Sequence, residues 1–200
     1  MERRYEKLLI SLRYYLIGRR YHTALKALDF AQKIHTGTRK DGKTPEFQHQ
    51  VEMALYITTL KDLINEEETI TCALLHDVVE DYPAFYNEMS DLFPQEIMAT
   101  CMSLNNTDKD KPNYYKMIQT DSIASIVKGA DRIHNVGSMV GVFTKEKQKK
   151  YVEEIEQFIL PMLKQARDKF PEQILAYFNI MTILRSQVGI LKPNWIEESK

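Results

Sequence analysis

Apolar residues recur at three- and four-residue steps along almost the whole chain, and this period constrains the fold more than any other feature. Tyr5, Leu8, Leu9, Leu12 and Leu16 share one helix face, as do Ala24, Ala27, Leu28, Ala31 and Ile34. Val51, Ala54, Leu55 and Thr58 repeat the pattern. Ile70, Ala73, Leu74 and Val78 follow an acidic helix start at 65–68. Ile97, Met98, Cys101 and Leu104 mark a shorter piece after Pro94, and Ile123, Ile126, Val127, Ala130 and Ile133 a long buried one. Val152, Ile155, Ile159, Met162 and Ala166 predict a helix bent at Pro161. Ile174, Leu175, Phe178, Met181 and Leu184 close the chain. No alternating run predicts a strand, and 7 Gly and 7 Pro leave few turns for a β-sandwich. The expected fold is all-α: a compact bundle of eight to ten helices, one domain over residues 1–200. Its core motifs would lie in 24–139, with the helices of 145–190 packed on that core.

The charges almost cancel. Lys+Arg is 27 and Asp+Glu is 28, a net of −1, which excludes a protein-wide basic field for nucleic acid. The hydrophobic fraction of 44% excludes a disordered chain. Cys72 and Cys101 fall in apolar helical positions and read as reduced core residues. No uninterrupted apolar stretch approaches the roughly 18 residues of a membrane span. The charged start Met1-Glu2-Arg3-Arg4 reads as the lead into an amphipathic segment rather than a secretory h-region. A cytoplasmic protein with no membrane or nucleic-acid partner is expected.

The residues that carry chemistry are concentrated. Ala73 to Asp81 reads ALLHDVVED, an adjacent His76-Asp77 pair at the end of an apolar helix. Glu80 lies four residues after His76 and Asp81 four after Asp77, so each pair shares a helix face. A His and a carboxylate at one point supply N and O ligands to a divalent ion, and neighbouring acids can orient or deprotonate water. A helix that merely turns polar at its end would read the same way. Two other stretches bear on the choice. His49 opens a helix after the polar loop TGTRKDGKTPE, residues 36–46. Lys128 to Asn135 reads KGADRIHN, placing Lys128, Asp131 and Asn135 on one helix face. There Asp131 beside Arg132 could be no more than an ion pair. Residues 105–113 read NNTDKDKPN, a turn-rich connector. His35 reads as a capping or supporting residue rather than a ligand, and Tyr114-Tyr115 as partial core.

The joint pattern H…HD…D resembles the metal site of the HD-domain phosphohydrolases. More closely, the runs IHTGTRKDG (residues 34–42), LLHDVVED (74–81) and KGADRIHN (128–135) resemble the hydrolase domain of the RelA/SpoT family of alarmone enzymes. The resemblance implies His49, His76, Asp77 and Asp131 as ligands of a central divalent metal, usually Mn²⁺. It implies Glu80 and Asp81 as the catalytic acids that activate and position water. Arg39, Lys40, Lys128, Asn135 and Ser138 would bind a small anionic nucleotide. The implied reaction is metal-dependent hydrolysis of the 3′-pyrophosphate of (p)ppGpp or a related alarmone, by a hydrolase without a synthetase domain. The rivals are another HD-domain nucleotide phosphohydrolase, acting on ppApp, NADPH or a nucleoside monophosphate, and an antitoxin-like partner of a small alarmone synthetase. A homo-oligomer is a further expectation. The sequence departs from the family at Gln50, where Pro is usual, at Gly137, where Arg is common, and at Tyr82-Pro83, which replaces a Thr-rich turn. None of these removes an expected ligand.

Overall fold

The computed structural model describes residues 2–105 and 110–192, with side chains from Arg4 onward. Among them every regular element is helical, and the one extended contact is an isolated antiparallel bridge between Thr38 and Pro45. The described residues form two compact units. The first takes those up to Thr59 and those from Asn65 to Asn105; the second takes Leu60–Ile64 and those from Asp110 onward.

The first unit holds α1 (Glu2–Arg19), α2 (His22–Ile34), α3 (Gln48–Ile57), α4 (Glu66–Asp81), α5 (Tyr86–Leu92) and α6 (Gln95–Leu104). Helix α4 is its centre and packs on α2, α3 and α6. That is why Ile70 and the run Cys72 to Leu75 are apolar all round and fully buried. The acidic start at Glu66, Glu67 and Glu68 faces the positive end of the α4 dipole. Glu67 also closes the start of α2, accepting from the Thr23 N–H at 2.7 Å and the Ala24 N–H at 3.4 Å. Both cysteines are free and buried, as expected.

The second unit holds α7 (Lys111–Ile118), α8 (Ser122–Met139), α9 (Lys145–Glu154), α10 (Leu160–Lys169) and α11 (Ile174–Leu191). Residues 106–109 of the expected connector lie outside the described residues. Its last three residues, Lys111 to Asn113, are helical instead. Asp110 caps α7 by accepting from the Asn113 N–H at 3.2 Å, and Pro112 sits in the first turn, where its missing N–H leaves no bond unmade. Helices α9 and α10 run on as one rod through a single π turn, Ile155–Ile159. The expected irregularity is therefore present but precedes Pro161. The proline has no N–H for the carbonyl four residues back, and the wider turn absorbs the lost bond.

Pro171–Leu191 is long and apolar enough to cross a membrane by length and composition alone. In this unit α11 is a packed helix. Ala176, Tyr177, Ile180, Met181 and Leu184 are buried, and the helix lies against α8 and α10. At Gly129 of α8 a Cβ would stand 2.7 Å from Ile180 Cγ2 and 3.1 Å from Leu163 Cδ2. Alanine there gains about 1 kcal/mol of helix propensity but overpacks the contact by about 1–3 kcal/mol. Gly129→Ala is expected to be net destabilising in a urea titration; a raised midpoint would mean that Ile180 gives way freely.

Candidate metal centre

Helices α3 and α4 bring three of the expected ligands together. His49 lies in the first turn of α3 and is buried, as is His76 near the end of α4; Asp77 beside it is partly exposed. His76 Nε2 is 2.9 Å from Asp77 Oδ1, and His49 Nε2 is 4.0 Å from Asp77 Oδ2. One donor atom from each of the three lies within 4.8 Å of the others. His76 Nδ1 is 2.9 Å from the Ala73 carbonyl oxygen, which only a protonated Nδ1 can satisfy. That bond fixes the tautomer and presents the Nε2 lone pair to the carboxylate side. Two imidazole nitrogens and a carboxylate oxygen converging in this way form a donor set that fits a divalent ion.

Gln50 completes this arrangement, and the sequence marked it only as a departure. Its Nε2 donates to Asp77 Oδ2 at 2.9 Å, so the amide holds the outer carboxylate oxygen. Glu80 and Asp81 are exposed in the last turn of α4. The Asp81 carboxyl is raised above its ordinary range by partial burial and by the negative charges of Asp77, Glu80 and Glu46.

Arg39 and Lys40 stand in the loop between α2 and α3. The Arg39 N–H donates to the Thr44 carbonyl at 2.8 Å, and the Gly42 N–H to the Arg39 carbonyl at 2.8 Å. Gly42 has φ +68°, which glycine adopts without strain. Asp41 accepts from the Thr44 hydroxyl and from the backbone N–H groups of Thr44 and Lys43, which holds its carboxyl down at about 2. The turn thus has a fixed internal shape.

The KGADRIHN residues lie on α8 in the second unit. Asp131 is buried; Asn135 Nδ2 donates to it at 2.5 Å and Lys128 Nζ at 3.4 Å. Burial alone would lower the Lys128 pKa, but the Asp131 charge outweighs it and the net shift is upward. Arg132 does not pair with Asp131. Its Nη2 donates to Glu154 Oε1 at 3.1 Å, and its guanidinium covers the Tyr151 ring at 4.6 Å. Glu154 also accepts from Tyr115 Oη at 2.6 Å and Lys111 Nζ at 2.9 Å. Ser138 is exposed, its hydroxyl donating to the Asn135 carbonyl at 3.2 Å. Tyr114 and Tyr115 are buried, in keeping with the core reading.

Residues 27–113 match the family model of the HD domain. That stretch contains His49, His76, Asp77, Glu80 and Asp81 and ends before Lys128. Over that stretch the chain is similar to the HD domain. Its resemblance to RelA/SpoT-type proteins holds beyond the motifs: it is 28% identical over 171 residues to the GTP pyrophosphokinase rsh of Brucella melitensis, and equally to that of Brucella ovis. The alignment covers 77% of this chain and 22% of each relative, so the chain spans about a fifth of their length.

Proposed function

We propose that the protein is a divalent-metal phosphohydrolase that removes the 3′-pyrophosphate of (p)ppGpp or a close analogue. The observation that carries this reading is the convergence of His49, His76 and Asp77 within the HD-matched stretch. The relatives' name, GTP pyrophosphokinase, supports a guanosine nucleotide and a pyrophosphoryl group as the chemistry involved. The donor set suits Mn²⁺ or a similar ion, with Asp131 added as fourth ligand on its motif. Such an ion, when bound, polarises a phosphoryl oxygen and acidifies water.

The chain's own groups do the rest. Asp81, made more basic by its surroundings, and Glu80 take the proton from the attacking water. The water oxygen bonds to phosphorus as the bond from phosphorus to the 3′-oxygen breaks, and that oxygen takes up the proton, giving pyrophosphate and the nucleoside 5′-di- or triphosphate with a free 3′-hydroxyl. Arg39 and Lys40 offset the phosphate charge that repels the nucleophile. Lys128, Asn135 and Ser138 enter the binding set on their motif alone. We place the reaction in the cytoplasm, where Cys72 and Cys101 stay reduced.

The test is incubation of metal-free protein with ppGpp, ppApp and NADPH, with and without Mn²⁺, and separation of the products by anion exchange. Pyrophosphate from ppGpp only when Mn²⁺ is present is expected. No pyrophosphate from any 3′-pyrophosphorylated nucleotide would sink the reading, and turnover of NADPH alone would favour the rival phosphohydrolase.

Gln50 gives a narrower check. Gln50→Leu keeps the volume and removes the donor to Asp77, so Mn²⁺ affinity by titration calorimetry is expected to fall about 10–100-fold. Unchanged affinity would mean that Asp77 needs no such support.

A further inference from the structure

We propose that Glu46 and Tyr82 form a clasp that holds the basic loop of residues 36–46 against the acidic end of α4, making both of them positioning residues for substrate binding. The inference rests on the reading of Arg39 and Lys40 as nucleotide-binding groups. All the residues involved lie in the first unit.

The loop is closed at its neck. The Glu46 N–H donates to the Gly37 carbonyl at 3.0 Å, just outside the Thr38–Pro45 bridge. The Glu46 side chain packs beneath this neck, where a Cβ on Gly37 would stand 3.0 Å from Glu46 Oε2. That same oxygen accepts from Tyr82 Oη at 2.6 Å. Tyr82 is the first residue past α4, immediately after Asp81. One short hydrogen bond therefore joins the base of the loop to the turn that carries the acids, across 36 residues of sequence.

His35 wedges the joint from inside. Its ring stacks on Phe47 at 5.9 Å and meets the Tyr82 ring edge-on at 4.9 Å. It is buried, and neither ring nitrogen makes a hydrogen bond. Its Nδ1 stands 3.8 Å from Glu46 Oε2, too far for one. Burial lowers the His35 pKa, so an uncharged ring fills the space and the phenol is the group that satisfies Glu46. The hydrogen bond to Glu46, with burial, pushes the Tyr82 hydroxyl up to about 12, so it remains a donor at any physiological pH. Without the clasp, the loop that carries Arg39 and Lys40 would lose this tie to the turn after α4. They would then sample more positions relative to Glu80 and Asp81. Binding would weaken, while the chemical step of a bound substrate would change little.

Tyr82→Phe tests this, because it keeps the ring against His35 and removes only the hydroxyl. The loop carries trypsin sites at Arg39, Lys40 and Lys43, and their cleavage is expected to quicken about five- to tenfold, the worth of one hydrogen bond. The Michaelis constant is expected to rise by the same factor, with kcat within about twofold of the wild-type value. Glu46→Ala should match Tyr82→Phe, and the double variant should be no worse than either. Glu46→Gln, which keeps an acceptor for the phenol, should restore wild-type cleavage and KM. Unchanged cleavage in Tyr82→Phe, additive effects in the double variant, or a Glu46→Gln as impaired as Glu46→Ala would each overturn the clasp. The proteolysis needs no substrate. Faster cleavage in a protein that turns over none of the nucleotides would uphold the clasp and sink the alarmone reading; unchanged cleavage in an active hydrolase would do the reverse.

Discussion

His76→Ala is expected to lower release of pyrophosphate from a 3′-pyrophosphorylated nucleotide by about a thousandfold or more, the equivalent of the several kcal/mol that Lewis-acid stabilisation supplies. The effect originates in α4. Its apolar run buries Leu74 and Leu75 and so carries His76 inward, while the bond from Nδ1 to the Ala73 carbonyl aims Nε2 toward Asp77. Truncation removes a nitrogen donor and leaves, of the three converging groups, only His49 and Asp77, with 4.0 Å between their nearest polar atoms. A second readout separates loss of metal from loss of fold. Mn²⁺ should raise the Tm of the wild-type protein, because a ligand bound only by the native state stabilises it, and should leave the variant's Tm unmoved. Asp77→Asn, close to isosteric, should give the same two results with little effect on the melting of the metal-free protein. Wild-type turnover in either variant, or an intact Mn²⁺-induced shift in both, would remove these residues from the ligand set.

The sequence makes this much of the centre legible because the information is local. Four-residue spacing puts Glu80 over His76, and a helix as apolar as α4 is at 72–75 must lie at the middle of a bundle. The acidic start of α4 and the core cysteines are local in the same sense. What stayed illegible depends on partners far apart in the chain. Gln50 meets Asp77 across 27 residues, Tyr82 meets Glu46 across 36, and Glu154 meets Tyr115 across 39. No period or spacing encodes such pairs. Arg132 is instructive: the adjacent Asp131 looked like its partner, but neighbours in a helix point about 100° apart. Asp131 is instead held by Lys128 and Asn135 at three- and four-residue steps. The short helix α5 and the start of α7 escaped for another reason. In α5 only Met89 is buried, so it shows almost no apolar period, and α7 begins inside a run of turn-forming residues that reads as loop.

Glu154→Ala is expected to destabilise the second unit by about 3–5 kcal/mol, the cost of leaving a buried charge without its counter-charge. Arg132 is buried, its Nε and Nη1 make no hydrogen bond, and Glu154 is the acceptor for its Nη2. The same carboxylate accepts from Tyr115 and Lys111, so one truncation orphans three donors. Burial alone would raise the Glu154 pKa, but Arg132, Tyr115 and Lys111 together pull it below its ordinary value. The sign of the pH dependence follows. A carboxylate whose folded pKa is depressed contributes stability that is fully present above the unfolded value of about 4.3 and is lost as pH falls through the lower, folded value. The stability gap between wild type and Glu154→Gln, measured by urea unfolding, should therefore be constant from neutrality down to about pH 5 and close below pH 4. A gap that stayed constant into strong acid would mean that hydrogen bonding rather than charge holds the site. Adding Arg132→Met to Glu154→Ala should recover part of the loss, because removing both charges leaves none stranded. If the second substitution instead deepened the loss by the full value of a buried Arg side chain, the packing of Arg132 on Tyr151, and not its charge, would be the larger contribution.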